Sequence, residues 1–254
     1  MARFQFLAFF GLLLLAATPS AARAAEIKLL GPFSLRALLP ELLPQFEKSS
    51  GHKVTVGYAT PGAIAKRLLE GEAVDVAILS PQLNEDLQKQ GKLVAGSRVE
   101  IAKVGYTVFV KKGTPKPELG SVDALKRTLM GAKSIALGDP AAGGGSGIYL
   151  AALMQELGLS AEIKAKTKLL LSGTEVAEAV AKGDSDIGIG VASDAAIVPG
   201  LDATPLPNGA QSYALYVAGI SSGSNQTDEA KALITFLTSP AFKQALAAAG
   251  FEAP

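Results

Sequence analysis

Apolar residues at Leu35, Leu38, Leu39, Leu42, Leu43 and Phe46 recur every three or four positions, the spacing of one buried helical stripe. The period then changes. Lys53–Tyr58 alternates polar and apolar side chains, as a half-buried strand does. This switch repeats along the chain. Strands are expected at Glu26–Leu30, Lys53–Tyr58, Val74–Leu79, Val104–Val110, Lys133–Leu137, Asp186–Val191 and Ser212–Ile220, with Ile163–Leu171 partly strand. Helices are expected at Leu35–Lys48, Ala63–Glu70, Gln82–Gln90, Ser121–Met130, Ile148–Leu157, Val176–Lys182, Thr227–Leu237 and Ser239–Gly250. Pro40 and Pro44 fall inside the first of these and predict a kink or a late start. Gly200–Gly209 reads as an irregular return segment. Short strands alternating with helical pieces argue for a mostly parallel α/β architecture.

The N-terminus breaks the pattern. Arg3 precedes an apolar run over Phe6–Ala17, and Ala22-Arg23-Ala24 has the form of a signal-peptidase site. The run is short of the ~20 residues a membrane span needs, so residues 1–24 read as an export signal and the mature chain as starting at Ala25. Those residues carry two arginines and no acid, which leaves 22 basic against 23 acidic side chains afterwards. A near-neutral chain offers no basic stripe for nucleic acid. With 48% hydrophobic residues and no cysteine, it must rest on its core without disulfides. Cysteine nucleophiles and thiolate metal sites are excluded. The single histidine, His52, sits in the polar turn Ser49–His52 and is expected to be solvated. No metal or cofactor is expected. An exported α/β hydrolase is the alternative suggested by the many serines, but a Ser-His-Asp triad would have to use His52, and no G-x-S-x-G elbow occurs.

Chemistry concentrates in the turns. Gly138–Tyr149 reads as the end of a strand, a glycine-rich turn and the start of a helix, with Ser146 as its N-cap. Backbone N–H groups freed by glycine, together with a helix N-terminus, form a ready anion site. Other strand-to-helix turns are small or hydroxylated as well: Ser34 and Thr60 in the first half; Ser172, Gly173, Thr174 and Ser193 in the second. Ordinary capping explains any one of them. As a set, at the strand ends where α/β sheets bind ligands, they suit an anion held by neutral donors. None of these helix starts carries Lys or Arg. P-loop and dinucleotide fingerprints are absent.

In chain order come Ser34-Leu35 after the first strand, Tyr58–Gly62 (Tyr-Ala-Thr-Pro-Gly), Gly71–Val76 (Gly-Glu-Ala-Val-Asp-Val), and Gly138-Asp139-Pro140 followed by Gly147-Ile148-Tyr149. Asp186–Ala195, Phe236–Pro240 and Ala249-Gly250-Phe251 follow. This order resembles the type II periplasmic solute-binding proteins of ABC importers, and within them the molybdate-binding branch. The resemblance implies two α/β lobes, residues 25–104 with 211–254 and residues 105–210, closing over a cleft. It implies a periplasmic, monomeric, non-enzymatic protein that passes a small anion to a membrane permease; a sensory binding module of the same fold is a further alternative. A molybdate-like oxyanion is the first ligand class and a small organic carboxylate the second. Carried over residue by residue, the implied site holds Ser34, Thr60, Gly145, Ser146, Gly147, Tyr149, Gly173, Thr174 and Ser193. Two positions depart from the family pattern. Pro61 stands where a donor serine is usual, and Val191 where a donor tyrosine is usual.

Overall fold

The computed structural model of the protein describes residues 24–252, so all but the last residue of the export segment lies outside the described residues. Among the described residues there are nine strands: β1 (Glu26–Pro32), β2 (Lys53–Ala59), β3 (Val76–Leu79), β4 (Val99–Lys111), β5 (Ile135–Gly138), β6 (Thr167–Leu170), β7 (Ile187–Val191), β8 (Leu201–Pro205) and β9 (Tyr213–Ile220). They pair in the order β2-β1-β3-β9-β4-β7-β5-β6, with β8 also on β4. β1, β2 and β3 are parallel to one another, as are β5, β6 and β7. β4 and β9 run antiparallel to their neighbours and join the two parallel sets.

The period-2 pattern shows why both faces are covered. Leu29, Val76 and Ile78 point into the main core, while Leu30, Ala77 and Leu79 point into a second cluster on the other face. Val108 and Val110 likewise face the main core, and Phe109 turns away to pack on Val176 and Val180. Alternate side chains of one strand face opposite sides of the sheet, so an apolar strand requires helices on both. Those helices are α1 (Leu38–Ser50), α2 (Pro61–Leu69), α3 (Pro81–Lys89), α4 (Val122–Gly131), α5 (Gly145–Glu156), α6 (Ser160–Lys164), α7 (Gly173–Lys182), α8 (Ala192–Ala196), α9 (Thr227–Phe236) and α10 (Pro240–Ala248).

One local device starts three of them. Thr60-Pro61, Ser80-Pro81 and Ser239-Pro240 place a capping hydroxyl before a proline at the first helical position, where proline has no N–H to waste. Ser121 and Ser172 cap α4 and α7 with the same backbone bond.

Several expectations are corrected. The first helix starts late: Phe33–Leu35 is a 3-10 turn and α1 begins only at Leu38. That places Pro40 in the first turn, where an N–H is free anyway, and leaves Pro44 as the only interior proline of α1. Ser34 caps nothing. Ser146 is not the cap of α5; Gly144 is, and Ser146 lies in the first turn. Thr227, whose hydroxyl suits an N-cap, is instead the first residue of α9. The return segment after Gly200 is not irregular, because Leu201–Pro205 pairs residue for residue with Thr107–Lys111 of β4.

β4 carries the crossing. Its first half pairs with β9 and its second half with β7, and the change falls between Gly105, opposite Tyr213, and Tyr106, opposite Val191. Gln211 holds the chain at that point. Its side-chain carbonyl accepts from the Tyr106 N–H at 3.0 Å, and its amide donates to the Tyr106 carbonyl at 3.1 Å.

Candidate functional site

The carboxyl ends of all six parallel strands open onto one cavity of about 260 Å³. Residues following β1, β2 and β3 form one wall, residues following β5, β6 and β7 form the other, and side chains of β4 and β9 lie between them. The volume is just under the roughly 300–1,000 Å³ of pockets that hold drug-sized molecules.

The sequence-predicted residues divide into two groups. Ser34, Thr60, Gly145, Ser146, Gly147 and Gly173 are on the wall. Ser34 is buried, and its hydroxyl donates to the Tyr216 hydroxyl at 3.0 Å. Gly145, Ser146 and Gly147 form the first turn of α5, before the first intrahelical bond from the Ile148 N–H to the Gly144 carbonyl. Their N–H groups have no helical partner and face the positive end of the helix dipole.

Tyr149, Thr174 and Ser193 are not on the wall. Tyr149 lies behind it, donating to the Ala210 carbonyl at 2.7 Å and stacking on Tyr106 with ring centroids 4.4 Å apart. It therefore sets the position of Tyr106. Thr174 and Ser193 are buried, with hydroxyls that have no partner among the described residues. Each adjoins a wall residue, Gly173 or Asp194, but successive side chains of a helix point about 100° apart, so these two turn inward.

Thr60 is on the wall but its hydroxyl is committed. It accepts from the Ala63 N–H at 3.2 Å and donates across the cleft to the Ala142 carbonyl at 2.6 Å. Beside it the Gly62 N–H donates to the Gly143 carbonyl at 3.0 Å. The turn after β2 and the turn after β5 thus meet backbone to backbone. A Cβ on Gly62 would stand 2.9 Å from the Gly143 Cα, so the contact requires glycine there.

Among the wall residues that sequence reasoning did not single out, three matter most to the chemistry. Tyr106 and Tyr216 come from the two crossing strands. Val191 lacks the hydroxyl of the tyrosine usual at its position, but Tyr106 is its cross-strand neighbour, so a phenol reaches the same region from the adjacent strand. Register alone could have revealed this. Burial raises the ionisation of both phenols above the ordinary value, so they remain neutral donors.

The third is Asp194. It is 3% exposed and lines the cavity. Its Oδ2 accepts from the Val191 N–H at 3.3 Å. A Cβ on Gly173 would lie 1.9 Å from that oxygen, and one on Gly190 3.2 Å from it, so two glycines clear the carboxyl's seat. Burial pushes its pKa up to about 7, against the opposing effect of the Val191 hydrogen bond. Among the described residues, no Lys, Arg or His lines the cavity. Asp139, at the end of β5, is the other wall carboxylate, and its Oδ1 accepts from the Ala141 N–H. The cleft can therefore hold an anion with hydroxyls and backbone N–H groups, and it has an acid at hand that changes charge near neutrality.

Known proteins resemble this chain over most of its length. The family model described as bacterial extracellular solute-binding protein matches residues 27–252. A protein named aconitate isomerase from a Pseudomonas species is 31% identical over 251 residues, covering 95% of this chain and 94% of the relative. The molybdate-binding protein ModA of Azotobacter vinelandii is 30% identical over 172 residues, covering 66% of this chain and 65% of its own. Among solved structures, the periplasmic molybdate-binding protein of Azotobacter vinelandii superposes with a TM-score of 0.76 at 22% identity, covering 90% of this chain and 99% of that one. That structural likeness shows the two-lobed periplasmic-binding-protein fold.

Proposed function

Because the chain belongs to the bacterial extracellular solute-binding protein family, we propose that it captures a small organic carboxylate in the cleft and delivers it to a membrane permease. The lobes are residues 25–104 with 211–254 and residues 105–210, with β4 and β9 as the crossing strands. The protein acts as a monomer in the periplasm, after loss of residues 1–24.

One observation carries the choice of ligand: a cavity of about 260 Å³ with neutral donors spread over both walls and, among the described residues, no Lys, Arg or His on them. A tetrahedral oxyanion is compact and would leave much of the 260 Å³ unfilled. A multi-carbon acid fills the space and presents several carboxyl groups to separate donors on Tyr106, Tyr216 and the α5 turn. The molybdate-like oxyanion thus ranks second. Isothermal titration with aconitate, citrate, malate and succinate against molybdate and sulfate tests the choice; preferential binding of an oxyanion would reject it.

A second reading has specific support. The relative named aconitate isomerase spans nearly the whole chain, and a wall carboxyl titrating near 7 is suited to general acid–base work at neutral pH. In this reading the cleft isomerises a bound unsaturated acid. Proton NMR of aconitate incubated with the protein decides it: a changing isomer ratio, abolished by Asp194→Asn, supports turnover, and a constant ratio leaves a binding protein.

A further inference from the structure

We propose that Asp194 makes ligand capture proton-coupled: the cleft takes a polycarboxylate together with one proton, shared between a ligand carboxyl and the Asp194 carboxyl. This coupling rests on the reading of the cleft as a carboxylate site but does not require turnover.

The geometry points this way from several sides. Asp194 is on α8, buried, and on the cavity wall. Its one backbone bond is long, at 3.3 Å, so much of its hydrogen-bonding capacity is unspent. The groups around it supply no positive charge. From β4 comes Tyr106 and from β9 Tyr216, both neutral; α7 and β7 present Gly173 and Gly190. β8 packs on α8 as well, but its Asp202 pairs with Lys116 at 3.4 Å. Asp139 adds a second acid to the wall, committed to the Ala141 N–H.

Two carboxylates facing each other without a cation in a buried site cannot both remain ionised. One proton between them turns repulsion into a charge-assisted hydrogen bond, the stronger kind. The displaced pKa of free Asp194 is consistent with a group that already holds a proton readily. Binding a second anion beside it raises that tendency further, so a proton is drawn from solution when the ligand enters above neutral pH.

Titration calorimetry at pH 8, in buffers of different ionisation heat, counts the protons. The probe is the tightest-binding of aconitate, citrate, malate and succinate. The wild type is expected to take up close to one proton per ligand, and its affinity to fall about tenfold per pH unit above 7. Asp194→Asn keeps an oxygen for the Val191 N–H, and is expected to take up none and to bind with pH-independent affinity. If that variant does not fold, difference infrared spectroscopy of the wild type substitutes: a protonated-carboxyl band must grow on binding. Zero uptake by the wild type, or equal uptake by the variant, overturns the proposal. If none of the four acids binds but molybdate does, the carboxylate reading fails separately. The same buffer series with molybdate then decides the role of Asp194, where uptake lost in the variant supports it and zero uptake rejects it.

Discussion

Replacing Gly62 with alanine tests whether the contact between the two turns holds the cleft shut. The added Cβ would lie 2.9 Å from the Gly143 Cα and 3.1 Å from its carbonyl oxygen. Both neighbours are backbone, so neither can rotate away, and the turns must separate. Separation breaks the Gly62 N–H to Gly143 carbonyl bond and the Thr60 hydroxyl to Ala142 carbonyl bond beside it. Two neutral hydrogen bonds at about 0.5–1.5 kcal/mol each put the loss at roughly 1–3 kcal/mol of closed-state stability. That corresponds to an affinity roughly five- to 150-fold weaker, carried by faster dissociation more than by slower association. The melting temperature of the ligand-free protein should barely change, because the contact joins two turns and neither core. Stopped-flow dissociation of the tightest acid, together with small-angle scattering of the bound form, reads both effects. A Gly62→Ala protein with wild-type dissociation and wild-type compactness would refute the reasoning.

The other predictions concern the wall. Asp194 titrates near 7 in the fold and at its ordinary 3.8 when unfolded, so the native state holds the extra proton between those values. Stability should therefore fall as pH rises through that window, by up to about 4 kcal/mol at 1.36 kcal/mol per pH unit. Urea unfolding should show Asp194→Asn to be more stable than wild type at pH 8 and similar at pH 4; parallel pH profiles would contradict this. Tyr106→Phe removes a donor to charge, worth about 1.5–3 kcal/mol, and should weaken acid binding at least tenfold in calorimetry with little loss of stability. Tyr149→Phe, which loses the Ala210 bond behind the wall, should cost mainly stability, about 1 kcal/mol. Gly173→Ala puts a methyl group into the Asp194 seat; a melting temperature lowered by an overpacking cost of about 1–3 kcal/mol, together with lost binding, is expected.

The elements were legible where local chemistry dominates. The alternation at Lys53–Tyr58 and the leucine stripe of α1 gave strand and helix directly, and Ser172 and Thr60 stand at the helix starts their side chains favour. The sequence reading failed where a distant partner decides. Leu201–Pro205 has weak strand character and becomes β8 only because β4 offers its edge. Ser34 has the residue type of a cap, yet the 3-10 turn directs its hydroxyl to Tyr216, 182 positions away. The site divides in the same way. Glycines and hydroxyls at strand ends were readable from residue type and position, and most of them reach the wall. Tyr106 and Tyr216 were not, because their role depends on which strands cross between the halves. Asp194 looked like an ordinary turn residue until two glycines, Gly173 and Gly190, were seen to make room for it in the cavity wall.

The central claim is that this cleft holds a small organic polycarboxylate, and a thermal-shift titration tests it most directly. Aconitate and citrate are run beside molybdate, tungstate, sulfate and phosphate on the chain starting at Ala25. A ligand that binds only the native state raises the melting temperature with increasing concentration. The expected result is a concentration-dependent rise with at least one of the two acids and none with the four oxyanions. A rise with an oxyanion alone, or with none of the six, would contradict it.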